Sequence, residues 1–235
     1  MDLSIIIPVW NEESKIAADI LNIDSFFRKS PLKIELIIVD DGSNDNSLKT
    51  SQKALQNVSI ESKSLAFKHM GKGYAVRQGI LASKGHIVMF MDCGGNVPLS
   101  FINKGLETVK DKDVDLVLAT RFHKQSKITF DRIWFRKITS FIFRKITNTL
   151  LDLPSEISDS QCGFKLFKGE IAREIFAGLK IDGFLFDLEV ILLAKAQGFR
   201  IIEMPVEWHC DRDSRLNIMG VIFPILRDLF YLRKI

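Results

Sequence analysis

Cysteine is scarce in this chain. Cys93, Cys162 and Cys210 are the three in 235 residues, and they lie far apart. An odd, scattered set excludes a disulfide framework as the source of stability and fits a reducing compartment. Histidine is nearly as rare: His69, His86, His123 and His209 show no metal-ligand spacing. No apolar run reaches the roughly 18 residues that suggest a membrane-spanning helix. The most apolar late stretch is broken by Pro224, Arg227 and Asp228. A strand pattern starts within three residues of Met1, which leaves no room for a signal peptide. There is no internal repeat and no low-complexity linker. Nor is the charge one-sided. The net +4 is too small to imply nucleic acid, but between Arg121 and Lys145 eight Lys or Arg face one acid, Asp131. That local excess points to an anionic partner at one place.

What is present is apolar patterning. With 46% hydrophobic residues, a chain of this length can bury a substantial core. Short apolar runs predict strands over 3–9, 34–39, 58–65, 87–91 and 114–119. Between them the spacing predicts helices over 12–27, 44–56, 72–83 and 100–109; Ile16, Ile20, Ile23 and Phe27 share one face. This βα alternation implies an α/β fold with a mostly parallel sheet. Beyond residue 120 the pattern predicts a helix over 130–151, a loop entering a strand over 158–167, helices over 170–176 and 186–197, and a strand over 199–205.

Four segments carry candidate chemistry. In the first, Pro8 leads into Asn11, Glu12 and Glu13. These residues suit either an N-cap with acids at a positive helix end, or a pocket at a strand's carboxyl end. Val39-Asp40-Asp41-Gly42-Ser43 repeats that design, and its paired acids could grip ribose hydroxyls or cap the next helix. Gly71-Lys72-Gly73 precedes a helix, where glycines allow close approach and a helix start favours phosphate. Met89-Phe90-Met91-Asp92 delivers an acid at a strand tip, followed by Gly94, Asn96 and Pro98. One such acid could hold a hard cation against a diphosphate.

In their order and spacing, these motifs resemble the nucleotide-sugar half of the family 2, GT-A fold glycosyltransferases. Ala119-Thr120-Arg121-Phe122, Arg136-Lys137-Ile138-Thr139-Ser140, Asp159-Ser160-Gln161-Cys162-Gly163-Phe164-Lys165, Phe186-Asp187-Leu188-Glu189 and Ser214-Arg215 look like the branch acting on polyprenyl phosphates. That branch contains the dolichyl-phosphate mannose and glucose synthases. The resemblance implies one Rossmann-like GT-A domain over 1–235: a nucleotide-sugar half over 1–120, an acceptor half over 121–218 and an amphipathic tail over 219–235. It places Pro8, Asn11, Glu12, Asp40, Asp41 and Lys72 at the nucleotide. It assigns Asp159 and Asp92 to catalysis, and Arg121, Arg136 and Ser140 to the acceptor phosphate. Asp92 and Asn96 would hold Mg2+ or Mn2+, at a site weakened because Gly94 stands where members usually carry the second acid of Asp-x-Asp. Cys162 reads as packing. Asp187 and Glu189, two apart, do not share a helix face.

The expected reaction is inverting transfer of a hexose from UDP-glucose or GDP-mannose to a polyprenyl phosphate at a membrane surface, with a mild tilt to UDP-glucose. The acceptor phosphate is already ionised, so Asp159 would orient groups or balance charge. In the 130–151 helix, Ile133, Trp134, Ile138, Phe141, Ile142 and Ile146 with Arg132, Arg136, Lys137, Arg144 and Lys145 describe an element lying in a membrane interface; packing on the core or on a twin subunit is the alternative. The tail, with Phe223, Leu226, Phe230 and Tyr231 among Arg227, Arg233 and Lys234, forms a second such element. The implied placement is cytoplasmic, peripheral on the cytoplasmic face of a membrane, with a membrane partner subunit or a homo-oligomer left open. Two other readings stand beside it: transfer to a glycan or hydroxyl acceptor, and a catalytically weak scaffold.

Overall fold

A computed structural model of the protein describes residues 1–111, 113–129, 141, 143–147, 149–209 and 218–235, and in the last helix the side chains from Phe223 onward. The strands are β1 (Leu3–Val9), β2 (Ile34–Asp40), β3 (Glu61–Ala66), β4 (Ile87–Met91), β5 (Leu116–Thr120), β6 (Lys127–Ile128), β7 (Phe164–Lys168), β8 (Ile201–Pro205) and β9 (Glu207–Trp208). The helices are α1 (Ile16–Phe27), α2 (Ser47–Leu55), α3 (Lys72–Leu81), α4 (Ser100–Val109), α5 (Gly169–Gly178), α6 (Phe186–Ala196) and α7 (Ile218–Leu232). Seven strands form one sheet in the order β3-β2-β1-β4-β7-β5-β8; β6 and β9 form a small parallel ribbon. The expected α/β architecture with a mostly parallel sheet flanked by helices is what is found.

The sheet is covered on both faces, and the strand sequences show why. Side chains alternate along a strand, so Ile5, Ile7, Leu36, Ile38, Met89 and Met91 enter one core with Ile16, Ile20, Ile23 and Phe27 of α1. Ile6, Ile37, Val39, Val88 and Phe90 enter the other, with Ala75, Val76 and Ile80 of α3 and Phe176 and Phe186 of α5 and α6. Fully burying one such side chain contributes about 1.5–3 kcal/mol. A near-continuous apolar run is what this environment demands.

Five details differ from the sequence reading. β7 is antiparallel to both β4 and β5, between which it is inserted. α1 starts at Ile16 rather than Glu12, because residues 12–15 form a turn closed by Lys15 N–H on the Glu12 carbonyl, 3.0 Å. α2 starts at Ser47 rather than Asn44, and β3 at Glu61 rather than Val58. α7 continues through Pro224. It rests on the core through Leu229 and Leu232 and exposes Phe223, Leu226 and Phe230.

Of the helix read over 130–151, residues 143–147 are helical. There Thr147 is buried, Phe143 packs on the core, and Phe141, Ile146 and Leu150 are exposed. Arg136 and Ser140, with Cys210, Ser214 and Arg215, lie outside the described residues. No described helix is long and apolar enough to cross a membrane.

Candidate active site

The carboxyl ends of β1, β2, β4 and β5 share one edge of the sheet. Because β7 runs the other way, its beginning lies at that edge: Phe164 pairs with Met91, the last residue of β4. The 159–163 segment therefore arrives beside Asp92, whose backbone N–H donates to the Gly163 carbonyl at 2.8 Å. One antiparallel strand thus brings the two most promising acids together, although they are far apart in the sequence.

Asp92 is half-exposed, and its Oδ1 is 2.6 Å from the Lys72 ammonium. Burial disfavours the Lys72 charge, but Asp92 and Asp187 outweigh it and raise the lysine's pKa. Lys72 opens α3, and its flanking glycines serve a purpose the sequence reading missed. A Cβ on Gly71 would come within 2.5 Å of the Asp182 carbonyl, and one on Gly73 within 2.7 Å of the Ile181 carbonyl. The Asp182 carbonyl also accepts the Tyr74 N–H at 3.1 Å. The helix start is thus packed against the 181–183 loop, and that loop takes a donor expected to be open to a phosphate.

Asp159 is buried and held in a fork. Its Oδ2 accepts from Arg121 Nε at 2.7 Å and from the Arg121 backbone N–H at 3.0 Å, and its Oδ1 accepts from Nη2 at 2.8 Å. Burial would raise its pKa, but Arg121 overrides this and holds the carboxyl below its usual range. Glu203 of β8 fixes the segment from beneath, accepting the Ser158 and Asp159 N–H groups at 2.8 Å each. Arg121, expected to grip an acceptor phosphate, therefore already pairs with Asp159. Arg136 and Ser140, its expected companions, fall outside the described residues.

Between these pairs lies Asp187 at the start of α6. It is buried, and its Oδ1 is 2.5 Å from Lys165 Nζ, which also donates to the Cys162 carbonyl at 2.7 Å. Lys165 is a fully buried lysine in the middle of the sheet, above the Phe90 ring. Burial raises the Asp187 pKa despite Lys165 and Lys72. Glu189 points elsewhere, accepting the Lys180 and Ile181 N–H groups and the Tyr231 hydroxyl. Burial pushes the Cys162 thiol up to about 12, so the thiol stays protonated and packs, as expected.

At the other end of the edge, the paired acids divide their roles. Asp41 accepts the Met70 and Gly71 N–H groups and meets His69 Nδ1 at 2.9 Å. It shapes the 69–71 loop. Asp40 accepts the Gly42 and Ser43 N–H groups through Oδ1, while its buried Oδ2 has no hydrogen-bond partner among the described residues. A carboxylate oxygen left unpaired in a protein interior is costly, and it marks where a ligand's N–H or O–H belongs. Asn11 does not cap α1. Its φ is +57° and its Oδ1 accepts the Asn44 N–H, while the Glu12 N–H donates to Ser47 Oγ. The two residues tie the β1 and β2 loops together. Pro8 sits in β1 opposite Val39, and Trp10 stacks on His69 at the rim.

Two residues went unnoticed in the sequence and had signals. Asp19 lies on the apolar face set by Ile16, Ile20 and Ile23, and its Oδ2 accepts the Gly94 N–H at 2.6 Å. Glu203 is the single acid inside an apolar strand. A further constraint is Gly163, where a Cβ would overlap the Asp92 carboxylate. Because that carboxylate can swing outward, Gly163→Ala should leave the melting temperature within a few degrees.

The Glycosyl transferase family 2 description matches residues 4–176. A protein called dolichyl-phosphate beta-glucosyltransferase in Dictyostelium discoideum is 31% identical over 242 residues, covering 98% of this chain and 73% of its own length. Its namesakes in Saccharomyces cerevisiae and Homo sapiens are 29% and 28% identical, each covering 98% of this chain and 74% of their own length. Among solved structures, glucosyl-3-phosphoglycerate synthase from Mycobacterium tuberculosis, with Mn2+, UDP and glucosyl-3-phosphoglycerate, superimposes with a TM-score of 0.74 at 16% identity, covering 99% of this chain and 79% of that one. The same enzyme with Mg2+ and UDP gives 0.72 at 16% identity, with the same coverage. A family match across most of the chain, on a fold shared with those structures, makes this protein a hexosyltransferase with the GT-A fold and a member of glycosyl transferase family 2.

Proposed function

We propose that the protein transfers glucose from UDP-glucose to a polyprenyl phosphate, with inversion, at the cytoplasmic face of a membrane. The observation that carries this is the meeting of three units at one sheet edge: the unpaired Asp40 oxygen, the Lys72–Asp92 pair and the buried Arg121–Asp159 fork. Together they offer a partner for a nucleoside, a cation for a diphosphate, and a rigid anchor where the sugar and acceptor would meet. The relatives named for dolichyl-phosphate glucosyl transfer favour glucose over mannose and a lipid phosphate over a hydroxyl.

In this reading an acceptor phosphate oxygen attacks the anomeric carbon, the bond to the diphosphate breaks, and the nucleoside diphosphate leaves. The phosphate is already ionised, so no base is needed. Asp159 is suited to that, since a carboxyl held below its usual range by Arg121 is a poor proton acceptor at neutral pH. It acts instead by orienting Arg121 and the sugar. Lys72 meets the leaving diphosphate.

Mg2+ or Mn2+, expected at Asp92 and Asn96, fits only in company with the donor. Asp92 is half-exposed whereas Asp187 is buried on Lys165, and among the described residues no three His, Cys, Asp or Glu side chains gather to hold an ion. Where an ion does join the bound donor, Asp92 and Asn96 would be its protein ligands, in a shell otherwise supplied by phosphates and water. The exposed Phe223, Leu226 and Phe230 on α7, beside Arg227, Arg233 and Lys234, suit an anionic leaflet.

The test is transfer of label from UDP-glucose or GDP-mannose to extracted lipid, with a polyprenyl phosphate as acceptor. Product formed only on a glycan overturns the reading. Absence of both turnover and nucleotide binding favours a scaffold. Arg136→Ala should raise the KM for lipid phosphate about tenfold, as for loss of one charged hydrogen bond. It should leave UDP binding unchanged; loss of UDP binding would remove Arg136 from the acceptor site.

A further inference from the structure

We infer that Lys72 is a built-in cation for the donor's diphosphate, competing with a divalent ion for Asp92, so that this chain binds its donor largely without metal. The inference rests on the nucleotide-sugar reading above and concerns what neutralises the diphosphate.

The strand tip is electrically complete without an ion. Lys72 Nζ lies 2.6 Å from Asp92 Oδ1, and Lys165 Nζ lies 2.5 Å from Asp187 Oδ1. Lys72 also faces Asp187 electrostatically. Among the described residues, these two ammonium groups therefore match these two carboxylates, so neither acid is left as a bare charge to draw in a divalent ion. Any ion that bound Asp92 through Oδ1 would have to displace Lys72. The lysine is not a loose surface residue, because its backbone is clamped by the close approach of Gly71 and Gly73 to the 181–183 loop.

A second carboxylate is excluded by loop shape as well as by residue type. Gly94 has φ +103° and Gly95 φ +62°. L residues rarely adopt the Gly94 value. The Gly94 N–H is fixed on Asp19 Oδ2 at 2.6 Å, and burial raises the pKa of that acid. The turn after Asp92 is thus held in a form that carries no side chain at position 94. Restoring an aspartate there would require the turn to refold. An incoming diphosphate brings the negative charge the site lacks, and an ammonium is a compact charge suited to phosphate.

The experiment is calorimetric titration of UDP, with GDP as a control, into wild type and Lys72→Met, each in EDTA and in Mn2+. Wild type should bind UDP in the two conditions with affinities within about threefold. Lys72→Met should bind about tenfold or more weakly in EDTA, the loss expected for one charged hydrogen bond, and Mn2+ should restore most of it. Asp92→Asn should keep binding in EDTA and lose any Mn2+ effect. Thermal melts confirm that each variant is folded. A wild type that needs Mn2+ for more than about a tenfold gain in UDP affinity, the scale of that same bond, overturns the inference while the donor reading stands. So does a Lys72→Met that matches wild type in EDTA. A wild type that binds neither UDP nor GDP in either buffer overturns the donor reading and the inference with it.

Discussion

Asp159→Asn should reduce sugar transfer by about a hundred- to a thousandfold, the range seen when one preorganised polar group is removed from a reacting centre. The argument is geometric. Asp159 spends both oxygens on Arg121, and its own N–H rests on Glu203. An amide keeps the shape but loses the charge, leaving the Arg121 guanidinium uncompensated in a largely buried position. Breaking such a pair from one side costs about 3–5 kcal/mol where burial is complete. Arg121 retains some exposure, so the lower end applies. Steady-state kinetics with labelled donor and a denaturant melt measure the two effects separately.

The pH profile distinguishes an orienting role from a proton-accepting one. The folded pKa of Asp159 is depressed, so its contribution to stability is present above the unfolded value of about 3.9. That contribution is lost only as pH falls through the folded value below it. Transfer should therefore be flat across the neutral range as far as Asp159 is concerned. An activity limb near neutrality that vanished in Asp159→Asn would overturn the orienting role.

Much of the architecture was readable because the strands state their environment. Ile5, Ile6 and Ile7 can all be apolar only where both faces are covered, and that fixed the α/β class before any geometry. Asp40, Asp41 and Asp92 were findable because each ends an apolar run. What the pattern could not supply was chain direction and non-local pairing. Phe164–Lys168 has the same alternation whichever way it runs, so the antiparallel insertion that brings Asp159 to Asp92 was invisible. The Arg121–Asp159 fork was equally hidden, since 38 residues separate the partners. The glycines around Lys72 were assigned to a phosphate, whereas their neighbour is the 181–183 loop, about 110 residues away in sequence. Asp19 and Glu203 show that an acid interrupting an apolar face is itself a signal, since its burial demands partners.

Lys165→Met should be the most damaging single change to stability. Lys165 is wholly buried, flanked by β4 and β5, with its ammonium on Asp187 and on the Cys162 carbonyl. Removing it strands Asp187 beside Lys72 alone, and the expected loss is about 3–5 kcal/mol. Burial already raises the Asp187 pKa with Lys165 present, and without that lysine it must rise further. The sign then follows. A carboxyl whose folded pKa exceeds its unfolded value binds more protons when folded, so stability falls as pH rises through that interval. The variant should accordingly melt higher at mildly acidic pH than at alkaline pH, relative to wild type. Lys165→Met combined with Asp187→Leu removes both charges and should recover most of the stability, because an apolar pair of similar volume replaces a buried ion pair at little cost. It should not recover activity, because Lys72 then has only Asp92 to hold its ammonium at the strand tip. Equal melting of the single and double variants would show that Asp187 is not the group Lys165 neutralises.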